Sequence, residues 1–429
     1  MMQSSDTRII HRRGSDELKM APQPDGVLMG RKIQWFHHKS LAAWGYKKTQ
    51  TDTFAVLHPL DEEKDNSTKT YPLYVVFHSS GHDVFSAVAC IWQKGNHSIY
   101  HAPVGMYALY LDCRQNEDDW WWGGNSALEI LSEDRRGIKK QPVEMRCIAT
   151  VEWVADHYPI DRNRIYAVGN SMGGSGALGI AMCRGDLFAA VKVNVPAGVR
   201  HLVDRCDLEH TVLNGFSIPD PPVLVDYSAQ NDPWSAGHQH LYRLMSENRY
   251  AMLGYWGNFG HANDDEVIEK ENDLVHSFDL FQVALNQPYP AFTNADTDDT
   301  VPWADDGSII SDAAGQVNAY FRWGKVEEGE KHIEIPLRLL SPDERMSKFV
   351  FPQTAKTDIT LRRLQKCHFP PGGQVTWKFG SCGGSVTADE RGLVTIPQIT
   401  VERQEKRLIL HCENMAKQPD KKEGKTKNV

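Results

Sequence analysis

A glycine-rich turn around one serine carries the strongest chemical signal in this sequence. Residues 169–174 read GNSMGG. They overlap the end of the β-branched run RIYAVGN and lead into a helix-forming stretch of small residues. A strand that turns sharply into a helix exposes a serine hydroxyl at the helix N-terminus, where free N–H groups and the helix dipole favour developing negative charge. The pattern therefore predicts that Ser171 is a nucleophile.

A nucleophilic serine needs a base and an orienting acid, and two later loops supply candidates. Asp232 follows the apolar run PPVLVDYSA, and His261 follows the apolar run YAMLGYWG. The order Ser, Asp, His is that of α/β-hydrolases, and loops after parallel strands meet at one edge of a sheet. We therefore expect a Ser171–Asp232–His261 triad. The alternatives are a surface-loop histidine and an aspartate that caps a helix. Asp226 is a weaker candidate for the role of the acid, because it lies within the predicted strand.

Two backbone N–H groups are expected to bind the oxyanion of an acyl-transfer reaction. One is that of Met172, directly after the nucleophile. The other should come from the loop after the strand YPLYVVFH, which reads HSSGHD, and Ser80 is the first choice there.

Tryptophans stand close to the predicted site. Trp121 and Trp122 belong to the run DDWWWGGN, and Trp234 follows the predicted acid by two residues. Flat aromatic rings could bind a sugar or a phenolic acyl group. The alternative is that the cluster packs a long loop onto the core.

No metal or cofactor is expected. His238 and His240 form an HxH pair on a predicted helix, where positions two apart do not share a face. The eight cysteines are scattered and contain no CxxC pair, which disfavours a zinc site and a disulfide-built fold, although one or two disulfides stay possible.

The elements that must position these residues alternate in the manner of a parallel α/β fold. Apolar runs predict strands, and residues 143–158 and 238–249 predict helices. The expected fold class is an α/β-hydrolase sheet with flanking helices, followed by an all-β sandwich whose short strands begin near residue 290. The predicted division is an N-terminal extension with possible edge strands (1–50), a catalytic domain (51–288), a β-sandwich (289–415) and a basic tail (416–429).

Composition limits the classes of partner that we expect for this chain. The formal net charge of -9 is spread along the chain, which disfavours a nucleic-acid surface, and no apolar stretch is long enough to span a membrane. The first twenty residues lack the apolar core of a secretory signal. The compartment therefore stays open between the cytoplasm and secretion with an already removed signal, and the oligomeric state is undetermined.

Four segments together resemble a known group of enzymes. HSSGHD after a strand, YPIDRNRIYAVGNSMGG, VLVDYSAQNDP and GNFGHAND are similar to the polyhydroxybutyrate-depolymerase and feruloyl-esterase group, which overlaps carbohydrate esterase family one within the α/β-hydrolases. The resemblance covers roughly residues 53–285, and His78-Ser79 stands where the group usually has His-Gly.

The resemblance implies ester hydrolysis through an acyl-enzyme, with an acetyl or feruloyl decoration of plant polysaccharide as the expected substrate. The alternatives are a serine peptidase of the prolyl-oligopeptidase type and a non-catalytic carbohydrate-binding protein. In the predicted sandwich, Trp323 and Trp377 are candidates for either a sugar platform or core packing.

Overall fold

A mixed β-sheet of eleven strands forms the centre of the molecule. The computed structural model describes residues 21–23, 25–46, 48–62, 68–90, 95–113, 121, 141–206, 208, 212–213, 216–217, 219–261, 273–342 and 349–412. The strands of the sheet are β1 (Ala21–Pro22), β2 (Gly26–Leu28), β3 (Arg31–Lys39), β4 (Thr51–Leu57), β5 (Tyr71–Phe77), β6 (Tyr107–Tyr110), β7 (Ile160–Asn170), β8 (Ala190–Asn194), β11 (Val223–Ala229), β12 (Met252–Gly257) and β14 (Gly315–Val317). Their order in the sheet is β1-β3-β4-β6-β5-β7-β8-β11-β12-β14, with β2 beside β3.

Six neighbouring strands, from β6 to β12 in the sheet order, run parallel. The residues of β5, β11 and β12 are all buried, because helices or further sheets cover both faces of this block. The predicted α/β sheet is therefore confirmed. Its order reverses at β5, which lies between β6 and β7 although β6 follows it in the chain. The carboxyl ends of β5 and β7 thus border a topological switch point, where open α/β sheets place their sites.

The helices cover the sheet unevenly. Apolar residues of the four helices between residues 142 and 247 pack with one face of the sheet in a single core cluster, whereas the helix at residues 84–89 packs on the opposite face. The predicted helix over 143–158 is confirmed within a residue at each end. In the described ranges, no helix is long and apolar enough to cross a membrane. The helices are α1 (Val84–Ala89), α2 (Pro142–His157), α3 (Met172–Met182), α4 (Val199–Cys206), α5 (His238–Glu247) and α6 (Asp273–His276), with 3₁₀ turns at Ala42–Trp44, Gly95–Tyr100 and Leu280–Gln282.

Apart from β14, the strands after residue 288 form two antiparallel sheets. One has the order β13-β18-β21, the other β15-β17-β22-β19-β20 with β16 beside β17, and β9 and β10 form a separate two-stranded pair. Outside the central sheet, the strands are β9 (Val212–Leu213), β10 (Phe216–Ser217), β13 (Tyr289–Thr293), β15 (Phe321–Trp323), β16 (Glu327–Glu328), β17 (His332–Leu339), β18 (Thr354–Arg362), β19 (Gln374–Phe379), β20 (Cys382–Thr387), β21 (Thr395–Glu402) and β22 (Lys406–Cys412).

These two sheets share a core with the central sheet. Residues such as Ile335 and Ile396 belong to the same buried cluster as Val225 and Tyr255 of the central sheet. In addition, β14 pairs antiparallel with β12 and so extends the central sheet from beyond the predicted boundary. A separate sandwich domain that begins near residue 290 therefore stays a prediction.

Candidate active site

Ser171 lies at the turn from β7 into α3, in a strained backbone conformation. Its φ of 56° and ψ of −123° fall outside the regions that residues with a side chain favour. A Cβ added at Gly169 would lie 2.1 Å from the backbone oxygen of Gly173, and one added at Gly173 would lie 2.0 Å from that of Phe77. Both glycines are therefore required by the close approach of strand and helix, and this approach creates the sharp turn at Ser171.

The structure brings Ser171, His261 and Asp232 into one hydrogen-bonded row. The Ser171 Oγ lies 2.6 Å from His261 Nε2, and His261 Nδ1 lies 2.6 Å from Asp232 Oδ2. Because a carboxylate only accepts, the Nδ1–H donates to Asp232 and Nε2 is left to accept the serine proton. The Asp232 side chain is 2% exposed and that of His261 is 24% exposed, so the acid is shielded and the imidazole is accessible.

The loop after β11 holds Asp232 in place. Its Oδ1 accepts the backbone N–H of Trp234 at 2.9 Å. Its backbone oxygen accepts both the N–H and the hydroxyl of Ser235, at 3.0 and 2.7 Å. The Ser235 backbone oxygen in turn accepts the Nδ1–H of His238 at 2.6 Å. The carboxylate therefore presents one oxygen to its own loop and the other to His261.

Asp226, the weaker candidate for the acid, lies inside the core with other partners. Its carboxylate accepts the hydroxyls of Tyr242 at 2.6 Å and of Ser228 at 2.9 Å, and His238 Nε2 lies 3.6 Å away. Burial acts to lower the pKa of His238, but the Asp226 carboxylate and the Ser235 carbonyl outweigh it and raise that pKa above its ordinary value. Ser228, His238 and Asp226 thus form a second set of serine, histidine and aspartate that is buried away from any substrate.

The HxH pair separates as its spacing predicts. His238 is buried in the network of Asp226, whereas His240 contacts the Arg243 side chain at the surface. Among the residues that the structure describes, no group of three or more potential ligands could hold a metal ion.

The two predicted oxyanion donors lie on either side of the switch point. Met172 is the first residue of α3, where the N–H groups have no partner within the helix. Ser80 is exposed in a turn that the N–H of His82 closes onto the Ser79 backbone oxygen at 3.2 Å. Within the described part of the chain, no hydrogen bond occupies the Ser80 N–H. The role of both groups as oxyanion donors is a proposal.

The side chain of Ser79 is hydrogen-bonded within the loop after β5. Its hydroxyl donates to the backbone oxygen of Asn170 at 2.9 Å and lies 2.7 Å from the Tyr100 hydroxyl, which also accepts the Ser79 N–H at 2.7 Å. The side chain therefore connects the loop after β5 to the end of β7, directly before Ser171.

The tryptophan prediction needs a correction. Trp121 is only 1% exposed, its Nε1–H donates to the His78 backbone oxygen at 3.0 Å, and its ring packs against Phe77. It therefore packs in the core beside the turn at Ser171 and offers no face to a substrate. Trp122 lies outside the described residues. Trp234 is 53% exposed, and its ring stands edge-on to that of His261 at 4.6 Å, so it borders the site.

The two tryptophans of the C-terminal sheets are mostly covered. Trp323 is 8% exposed and packs against Phe278 and Phe292, and Trp377 is partly buried against the core. These contacts favour core packing over a sugar platform.

Sequence reasoning missed two asparagines that contact the row. Asn194 ends β8 and accepts the Ser171 N–H on its backbone oxygen at 2.9 Å, and Asn96 donates to the His261 backbone oxygen at 3.2 Å. A polar residue that ends the apolar strand AAVKVNVP was a usable signal for Asn194. Asn96 lies in a 3₁₀ turn without periodicity, so nothing in the pattern marks it.

Comparison with known proteins gives structural likenesses alone. No protein-family model and no curated protein matches the chain. The structure is similar to an S-formylglutathione hydrolase from Agrobacterium tumefaciens (15% identity, 57% of this chain and 93% of that chain, TM-score 0.40). It is also similar to an acetyl xylan esterase from Paenibacillus sp. R4 (12%, 61% and 90%, TM-score 0.40) and to a ferulic acid esterase (14%, 55% and 92%, TM-score 0.37). Function is therefore inferred from the contacts of the site.

Proposed function

We propose that this chain is a serine-dependent carboxylic ester hydrolase that acts through an acyl-enzyme. One observation carries the proposal, namely the continuous hydrogen-bonded row from Ser171 through His261 to Asp232. A nucleophile on a strained turn, an accessible base and a buried acid are the three parts that acyl transfer by a serine requires.

The reaction follows from these contacts. The Ser171 Oγ attacks the ester carbonyl carbon while His261 Nε2 takes the hydroxyl proton, and the resulting imidazolium is stabilised by Asp232. The carbonyl oxygen gains negative charge and is bound by the N–H groups of Met172 and Ser80. His261 then gives its proton to the leaving alcohol. Water, deprotonated by His261, hydrolyses the acyl-enzyme, and the proton returns to Ser171.

The substrate class is the finer part of the proposal. The sequence resemblance favours acetyl or feruloyl esters on plant polysaccharide, or related small esters. The half-exposed ring of Trp234 beside His261 is suited to contact a phenolic acyl group or a sugar at the rim.

A substrate panel tests the proposal. Wild type and Ser171→Ala are compared on para-nitrophenyl acetate, para-nitrophenyl butyrate, methyl ferulate, acetylated xylan and a chromogenic prolyl peptide. We expect ester turnover that Ser171→Ala abolishes and Ser228→Ala retains. Ser228 is a matched control because its hydroxyl lies 2.7 Å from His238 Nε2 in the buried second set.

Other results would replace the proposal. Turnover of the peptide alone indicates a peptidase. Full ester turnover in folded Ser171→Ala removes the serine mechanism. A wild-type protein that turns over nothing on the panel yet binds xylan is a carbohydrate-binding protein.

A further inference from the structure

Two buried asparagines connect the nucleophile to the histidine loop by a route separate from the reacting side chains. The Ser171 N–H donates to the Asn194 backbone oxygen at 2.9 Å, and the Asn194 side chain donates to the Asn96 backbone oxygen at 3.0 Å. The Asn96 side chain donates to the His261 backbone oxygen at 3.2 Å. Together with the contact between Ser171 Oγ and His261 Nε2, these bonds close a ring.

Asn96 belongs to an element that contacts several parts of the site. It lies in the 3₁₀ helix Gly95–Tyr100, and Tyr100 at the end of this helix accepts the N–H of Ser79. The helix therefore contacts the loop after β5 through Tyr100, the end of β8 through Asn194, and the loop after β12 through His261. A displacement of this helix would therefore also displace all three segments.

The hydrogen bonding of Asn96 is one-sided. The residue is 5% exposed, and its Oδ1 has no hydrogen-bond partner among the described residues. A buried carbonyl oxygen without a partner costs stability, but Asn194 and Asn318 share this feature, so what distinguishes Asn96 is the partner of its donor group. The Nδ2 group of the same side chain is the part that is used, and it is directed at the loop of the base.

We propose that Asn96 is a positioning residue that keeps His261 within hydrogen-bond distance of Ser171 and thereby sets kcat. This inference rests on the proposed function. Asp232 holds the imidazole ring through Nδ1, whereas Asn96 holds the backbone of the same residue through its carbonyl oxygen. Two attachments at different atoms restrict both the rotation of the ring and the translation of the loop.

The test compares two variants of Asn96 with a matched asparagine. Asn96→Ala removes the donor, and Asn96→Asp keeps the shape but replaces the donor with an acceptor. We expect kcat on para-nitrophenyl acetate to fall about 10- to 100-fold with KM within about twofold, because displacement of a catalytic group by ~1 Å can cost 10²-fold. The assay is run well below the melting temperature of every variant.

Asn318→Ala is the control for a purely structural effect. Asn318 is 4% exposed, and its side chain donates to the backbone oxygens of Phe292 at 2.9 Å and of Met252, at the start of β12, at 3.3 Å. Loss of this asparagine should lower the melting temperature and leave kcat within about twofold of wild type.

A proton NMR spectrum gives a reading that does not depend on turnover. The His261 Nδ1 proton, bonded to Asp232, should resonate far downfield, and it should shift or broaden in Asn96→Asp but not in Asn318→Ala. A kcat within twofold of wild type, an equal loss in Asn318→Ala, or an unchanged downfield resonance would overturn the proposal. If Asn96→Ala does not fold, the isosteric Asn96→Asp supplies the result.

The two proposals fail in different ways. Full activity in folded Ser171→Ala removes the proposed function, whereas the NMR comparison still reports whether Asn96 orders His261. Normal kcat in the Asn96 variants, with Ser171→Ala inactive, removes only the positioning role.

Discussion

Replacing Asp232 with asparagine should abolish nearly all turnover while leaving the shape of the site intact. The Trp234 N–H donates to Asp232 Oδ1, so an asparagine at this position is expected to keep its carbonyl oxygen there. Its amide group then faces His261 Nδ1 in place of the acceptor Oδ2. Two donors cannot face each other, so His261 must carry its proton on Nε2.

The size of the effect follows from that tautomer. With a proton on Nε2, the imidazole has no lone pair for the hydroxyl of Ser171, which lies 2.6 Å away, and general-base catalysis is lost. A base held in the wrong tautomer lowers kcat by about 10⁴-fold, which corresponds to roughly 5.5 kcal/mol of transition-state stabilisation. Loss of one ordinary hydrogen bond, at about 1 kcal/mol, would cost only about fivefold. The two explanations are therefore separated by three orders of magnitude.

The assay measures kcat and KM for Asp232→Asn on the best ester of the panel, with circular dichroism and a melting curve to confirm folding. Asp226→Asn is the comparison, because it removes the other candidate acid from its contacts with Tyr242 and Ser228. We expect Asp226→Asn to lower stability and to change kcat less than about tenfold. A folded Asp232→Asn within tenfold of wild type would refute the reasoning, and a larger loss in Asp226→Asn would transfer the acid role to Asp226.

Two further predictions concern stability. Gly173→Ala should destabilise the protein by more than about 3 kcal/mol, because its Cβ would meet the backbone oxygen of Phe77. In Gly179→Ala, in the same helix, the Cβ meets only the end of a side chain, so the free energy of unfolding in urea should stay within about 1 kcal/mol of wild type. Burial raises the pKa of Asp298 to about 7, above its unfolded value of 3.8, so its contribution to stability is lost as pH rises through that range. The free energy of unfolding of Asp298→Asn, relative to that of wild type, should therefore increase by about 1–2 kcal/mol between pH 5 and pH 8. The partial exposure of the Asp298 side chain limits the size of this change. A difference that stays flat with pH would contradict this prediction.

The sequence was most informative where apolar runs are continuous. The strands β5, β11 and β12 begin and end within two residues of the predicted positions, because strands buried on both faces give runs that are apolar along nearly their whole length. The chain order and the rule that parallel strands share a carboxyl edge were sufficient to bring Ser171 and His261 together.

Other features depend on contacts that leave no local pattern. The sequence left Trp121 open between a substrate contact and core packing, and its ring fills the space beside Gly176, a contact that no periodicity encodes. Asn96 acts through one bond to a residue 165 positions away. The run QVNAYFRWGKV contains both β14 and β15, which Asn318, with a φ of 57°, separates. Asparagine adopts a positive φ more readily than most residues, and the side-chain amide of Asn318 donates to the backbone oxygens of Met252 and Phe292.

The pairing of β14 with β12 bears on how the chain folds during synthesis. The strand that presents His261 is bordered on one side by β14, which leaves the ribosome some sixty residues later. A nascent chain that ends before β14 has an open sheet edge next to the base and an apolar sheet face without its cover. If the chain is the proposed ester hydrolase, we expect it to acquire activity only after translation has passed well into the C-terminal sheets, so that truncated products are inactive and prone to aggregate.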